Sequence, residues 1–191
     1  MEINDNIVIN SKDGDELIIR RLLKSDRSNL QEFGSSLSEK STATFLPHSY
    51  DDDTVNAFLE RSEAGEDLTL GLFSHDKMVA YFFLWYYTNP IPLLGIGILD
   101  EYQGKGLGKK LTQFLIDAAR RSSRDGIELT TLPENHRAYA LYESLGFRHY
   151  ADVSNLAGDG RIVIERAMFL QFNPDASPSV DLHKPPVDFN Q

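Results

Sequence analysis

The chain contains no cysteine. Disulfides, a thiolate nucleophile and cysteine-ligated metals are therefore excluded. Basic residues are outnumbered: 19 Lys and Arg stand against 29 Asp and Glu, for a net charge of −10. That balance argues against general nucleic-acid binding. It suits a cationic substrate, and it equally serves solubility. No apolar run is long enough to span a bilayer, and Met1-Glu2-Ile3-Asn4-Asp5 lacks the basic and apolar regions of a signal peptide. The expected setting is cytoplasmic, with neither membrane nor nucleic acid as partner. Two familiar phosphate loops are missing as well. Gly108-Lys109 is followed by Lys110, and Gln103 stands where a Walker loop needs its first glycine. Gly104, Gly106 and Gly108 do not have the G-x-G-x-x-G spacing of a dinucleotide fingerprint.

What is present is Gln103-Gly104-Lys105-Gly106-Leu107-Gly108-Lys109-Lys110. An apolar run, Ile96-Gly97-Ile98-Leu99, ends just before it. Leu107, Leu111, Phe114, Leu115 and Ala118 then recur at helical spacing. The stretch reads as strand, glycine loop and helix N-terminus. In that geometry unpaired backbone N–H groups converge on an anion. Lys105, Lys109 and Lys110 oppose the helix macrodipole by about 0.3–1 kcal/mol each, and a bound phosphate reverses the sign of that cost.

The chain's 191 residues suit one domain over residues 1–172, with a proline-bearing tail over 173–191. Ile7-Val8-Ile9 and Glu16 to Arg20 flank Asp13-Gly14 as a hairpin. Ser25-Asp26 starts a helix that stops near Gly34. Residues 36–49 read as polar and irregular, around Phe45-Leu46-Pro47-His48. Asp51-Asp52-Asp53 cap a second helix, ending near Gly65. Strands follow from Leu68 to Phe73, Met78 to Tyr87 and Leu93 to Leu99. Gly95 and Gly97 share one face of the last of these, where they leave room for a ligand or mark a bulge. A helix runs from the loop to about Arg124, with Gly126 as its stop. A strand from Ile127 to Leu132 leads through Asn135 into a helix ended by Gly146. Two strands, Arg148 to Val153 and Ile162 to Phe169, close the fold. The fold class is α/β (α+β): a mixed, mainly antiparallel sheet with helices on both faces.

Gln103-Gly104-Lys105-Gly106-Leu107-Gly108 resembles the acyl-CoA pyrophosphate loop of the GNAT superfamily of N-acetyltransferases. Asn135-x-x-Ala138-x-x-Leu141-Tyr142-x-x-x-Gly146-Phe147 resembles that family's second motif, at the expected distance. The resemblance covers roughly Leu17 to Phe169. It implies a GNAT-like acyl-CoA-binding fold and acetyl-CoA as acyl donor, with no metal. Gly97 and Ile98 would pair with the pantetheine arm. Backbone N–H groups from Gly104 through Lys105, Gly106, Leu107 and Gly108 to Lys109 would hold the pyrophosphate, with Gln103 bracing the loop. Asn135 would hydrogen-bond the pantetheine, and it also suits a helix N-cap. Tyr142 would sit beside the thioester sulfur as proton donor.

The implied reaction is acetyl transfer to a primary amine by direct attack. The amine must lose a proton. Some family members place a Glu in a central strand; here Glu128 is the only carboxylate in either one, and Glu134, His136 and His48 are the other candidates. The base stays unassigned, and a water-relayed proton is the alternative, since attack can need positioning more than a strong base. Phe45 to Tyr50 and the aromatic strand with Trp85, Tyr86 and Tyr87 are expected to shape the acceptor side. The acceptor is a small-molecule or peptide amine, and a homodimer is compatible with the sequence. Two other readings stand: a non-catalytic acyl-CoA-binding module, and a transferase for a longer acyl chain.

Overall fold

The computed structural model describes residues 6–178 and 184–187; the remainder of the tail lies outside the described residues. The chain begins with β1 (Ile7–Asn10) and β2 (Glu16–Arg21), an antiparallel hairpin closed by Gly14 at φ 92°. Next come α1 (Arg27–Ser35), α2 (Glu39–Thr44) and α3 (Asp52–Ala64). The strands β3 (Leu68–Ser74), β4 (Lys77–Trp85) and β5 (Leu93–Ile98) lead into α4 (Leu107–Arg121). β6 (Gly126–Thr131), α5 (His136–Ser144), β7 (Arg148–Leu156) and β8 (Ile162–Gln171) complete the order.

The eight strands form one sheet in the order β1-β2-β3-β4-β5-β6-β8-β7. Every pairing is antiparallel except β5 with β6. β4 shows why both faces are covered. Side chains alternate across a strand. Ala80, Phe82 and Leu84 join the cluster under α4 and α5, with Leu107, Leu111, Leu115 and Phe147. Tyr81, Phe83 and Trp85 join the cluster under α1 and α3, with Phe33, Val55 and Phe58. A strand buried on both faces reads as a continuous apolar run.

Three boundaries differ from the sequence reading. Residues 36–49 are not wholly irregular, because Ser38 caps α2 by accepting the Ser41 N–H. α1 stops beside Gly34, as expected, and a Cβ on Gly34 would meet the Tyr50 ring at 2.5 Å. α4 ends at Arg121, with Ser123 at φ 55°, and Gly126 opens β6. There a Cβ would meet the Phe169 ring at 2.5 Å. β4 stops at Trp85, and Tyr86 turns away at φ 55°.

Candidate active site

β5 and β6 pair at only two positions, Leu93↔Glu128 and Leu94↔Leu129. Past them β5 turns from β6 and runs toward the glycine loop, while β6 turns toward α5. This split leaves the backbone of Gly95 to Ile98 without a β6 partner. A cavity of about 820 Å³ fills the wedge. Gly97, Ile98, Gln103, Gly104, Gly106, Gly108, Lys109, Asn135 and Tyr142 all line it. Lys105 and Leu107 are not among the lining residues. Leu107 is buried in the core under α4, and Lys105 turns to the N-terminal hairpin.

The loop is held open by conformation and bracing. Gly104 and Gly106 have φ of 82° and 78°, the left-handed region that L side chains avoid. Gly106 is the N-cap of α4, and no side chain caps that end. The first N–H groups of α4 therefore lack an intrahelical acceptor. Gly108 is limited by space instead: a Cβ there would lie 3.3 Å from Leu141 and 3.9 Å from Ile98. The Gln103 amide donates to the Ile98 carbonyl at 3.0 Å and to Ser41 Oγ at 3.1 Å. Ser41 and Ser38 hydroxyls in turn donate to Asp100. The loop, the end of β5 and the start of α2 are thus one hydrogen-bonded unit.

The lysines are arranged differently from the sequence expectation. Lys105 Nζ lies 3.2 Å from Asp15 and 3.5 Å from Asp13, on the hairpin turn. Lys110 Nζ donates to the Asn10 carbonyl at 2.7 Å. The hairpin therefore answers two of the three charges. It also brings a lysine that the motif does not contain. Lys12 lines the cavity, and its methylenes cover Gly106 where a Cβ would approach within 2.9 Å.

Gly95 and Gly97 neither mark a bulge nor leave open space. The β4–β5 register runs unbroken from Trp85↔Leu93 to Ala80↔Ile98. A Cβ on Gly95 would meet the Phe83 ring at 2.2 Å, and one on Gly97 the Phe45 ring at 2.3 Å. The glycines admit aromatic rings.

Tyr142 sits on α5, 9% exposed, with its ring edge-on to Phe147 at 5.8 Å. Burial pushes its phenol up to about 12. Asn135 caps α5, its Oδ1 accepting the Ala138 N–H at 3.2 Å. Glu134 and His136 line the cavity from its exposed rim. Glu128 is buried in β6 and accepts the Tyr150 hydroxyl at 2.9 Å. His48 is a core residue. Its ring stacks on Phe58 at 4.3 Å, and burial lowers its pKa to about 4. Nδ1 lies 2.6 Å from the Ser49 carbonyl, so Nδ1 carries the proton and Nε2 accepts from Tyr81 Oη at 3.1 Å.

The opposite wall comes from Phe45, Leu46, Pro47 and Trp85, with Asn155, Arg161 and Glu165 from the β7–β8 hairpin. Tyr86 and Tyr87 face elsewhere, bonding the Lys184 carbonyl and Ser122. The hairpin tip docks on the loop after α2: Gly158 N–H donates to the Leu46 carbonyl at 3.0 Å. A Cβ on Gly158 would meet the His48 backbone at 2.5 Å. The sequence pointed to Phe45, Leu46, Pro47 and Trp85 on this side but not to the hairpin's share of the wall, because β7 and β8 carry no motif; their alternating pattern signals strands and nothing of what they face.

Comparison with known proteins supplies the family. The description "Acetyltransferase (GNAT) family" matches residues 31–147. The [ribosomal protein bS18]-alanine N-acetyltransferase of Escherichia coli K12 is 34% identical over 80 residues, 42% of this chain and 54% of that enzyme. The chain thus spans about half the length of the curated relatives it matches. Among solved structures, the ribosomal-protein-S5-alanine acetyltransferase of Vibrio fischeri superposes with a TM-score of 0.72 at 14% identity. It covers 91% of this chain and 100% of its own. Spermidine N-acetyltransferase from Vibrio cholerae, in complex with CoA and spermine, gives 0.66 at 18% identity, over 81% and 95%.

Proposed function

The chain belongs to the GNAT acetyltransferase family, and from that membership we propose that it moves an acetyl group from acetyl-CoA to a primary amine in the wedge between β5 and β6. The observation that carries this reading is the split after Leu94 and Leu129, opening directly onto the left-handed glycine loop. The loop fits a pyrophosphate: its backbone approaches closely, and the uncapped start of α4 offers N–H donors and the positive end of a helix dipole. Gln103 holds the loop to β5. The edge at Gly97 and Ile98, which has no β6 partner, offers an amide-bearing arm a strand to lie along. The Asn135 side chain stands beside the same path. Lys109 faces the cavity with a charge that suits phosphate.

Tyr142 is the proton donor to the leaving sulfur. Its phenol, raised to about 12 by burial, stays protonated throughout the working pH range. Set against a thiol near 8.5, complete transfer from the phenol is uphill. The hydroxyl therefore first stabilises charge developing on sulfur by a hydrogen bond. Its proton follows as the phenol oxygen regains one from the attacking nitrogen.

The name of one relative carries a ribosomal-protein alanine, and that of one structural neighbour a polyamine. Either suits a chain of net charge −10. A CoA-release assay tests the reading, with a peptide bearing an N-terminal alanine and with spermidine as probes. Turnover of either, with the product heavier by one acetyl group, supports acetyl transfer. Tight acetyl-CoA binding with no turnover across a broad amine panel favours a binding module and overturns the enzyme reading.

A further inference from the structure

An amine reaches a neutral-pH site mostly as its ammonium, since an α-amino group titrates near 8 and a lysine-like amine above 10. Something must take a proton before attack. Of the candidates visible in the sequence, Glu134 and His136 line the cavity only at its exposed rim, and Glu128 and His48 do not line it. Glu128 is absent from the cavity lining and receives the Tyr150 hydroxyl. His48 is locked in the aromatic core. Among the described residues lining the cavity, the carboxylates are Glu134 and Glu165. Glu134 lies in the exposed turn before α5, whereas Glu165 is half-buried in the middle of β8.

Glu165 is also connected to the split. β8 pairs with β6 through Thr130↔Ala167 and Thr131↔Arg166, so Glu165 stands just beyond the end of β6. Val153↔Glu165 and Asn155↔Val163 set Asn155 diagonally across from it on β7. The Asn155 amide donates to Glu165 Oε2 and lies 3.4 Å from Thr130 Oγ1. Thr130 is the first residue past the last β5–β6 pair, Leu94↔Leu129. One amide therefore joins the carboxylate to the mouth of the wedge, and all three residues line the same cavity.

Resting on the acetyl-transfer reading, we propose that Glu165 accepts the proton of the incoming ammonium, with Asn155 as its positioning residue. The balance closes. The Glu165 carboxylate takes one proton from R–NH₃⁺, directly or through a water. The freed lone pair forms the C–N bond to the thioester carbonyl carbon, and the C–S bond breaks. The departing sulfur takes the Tyr142 phenolic proton, and the phenol oxygen regains one from the acylated nitrogen. Glu165 releases its proton to solvent. Net, one ammonium and one thioester give one amide, one thiol and one proton.

Steady-state kinetics on Glu165→Gln test this, with the alanine peptide and spermidine as probes. Gln retains an acceptor for the Asn155 amide and removes only basicity. The expected result is a fall in kcat of about a hundredfold, with the acceptor KM and acetyl-CoA affinity each within about threefold. Asn155→Ala, which leaves the carboxylate in place, should lower kcat about tenfold in the wild type and not further in Glu165→Gln. Unchanged kcat in both variants overturns the proposal. A raised KM at constant kcat overturns it too, because Glu165 is then only a counter-ion for the ammonium. If the wild type binds acetyl-CoA yet acetylates neither probe nor any panel amine, acetyl transfer itself fails, and Glu165 with it.

Discussion

Tyr142 and Gly106 make the sharpest residue-scale claims. Tyr142→Phe removes one oxygen from a side chain already packed on Phe147. It should cut kcat about a hundredfold and leave the acetyl-CoA dissociation constant, read by calorimetry, unchanged. Because burial holds the phenol near 12, the wild-type rate should show no basic limb from this group below pH ~10. Gly106 and Gly108 are both glycines for different reasons. Gly106 is fixed by its φ of 78° and Gly108 by the closeness of Leu141. Neither reason is visible in the repeated spacing alone. Asn135 and Tyr142 were legible because they fall in a motif that resembles the family's second one; periodicity alone reads them as a helix cap and a core side chain. Glu165 was not, because a single carboxylate in an alternating strand looks like any solvated residue.

Elements bring the two walls of the cavity together. α3 begins where the Asp acid run predicted: Asp51 accepts the Thr54 N–H at 2.9 Å. The Ser49 hydroxyl, then that N–H, hold the Asp51 carboxyl down at about 2. A folded value below the unfolded 3.9 stabilises the fold above pH ~4, and this is lost as pH falls toward 2. Asp51→Ala should therefore cost about 1 kcal/mol at pH 7. In urea titrations the gap to wild type should close between pH ~4 and ~2; a gap that does not vary with pH removes the cap. Further along, the β7–β8 tip rests on the loop after α2 through Gly158. Gly158→Ala places a Cβ against the His48 backbone. It should raise the acceptor KM about tenfold while acetyl-CoA affinity holds; an unmoved KM separates the tip from the acceptor side. α2 was missed because its six residues, EKSTAT, have no apolar period. What sets it is the Ser38 cap and the Asp100 network, contacts 59 to 62 residues distant in sequence.

For the whole molecule, the succession of elements was largely legible and closure was not. Local hairpins, apolar alternation and one crossover through α4 dictate a mixed sheet with two covered faces. That β8 inserts between β6 and β7, and that β1–β2 lies against the glycine loop, depends on long-range pairing that no local pattern encodes. The N-terminal hairpin is tied to the loop by Lys12 N–H to the Lys105 carbonyl at 3.0 Å and by Lys105 to Asp15. Donor binding and folding should therefore be linked. Acetyl-CoA at a hundred times its dissociation constant should stabilise the protein by about 2.7 kcal/mol, read as a rise in melting temperature. The central claim is that the glycine loop at the open end of the β5–β6 wedge holds the donor. Calorimetric titration of acetyl-CoA into the wild type and Gly106→Val tests it most directly. One-to-one binding, weakened about tenfold or more in Gly106→Val through strain at a left-handed residue and a crowded loop, is the predicted result. Superimposable isotherms from the two proteins would contradict it.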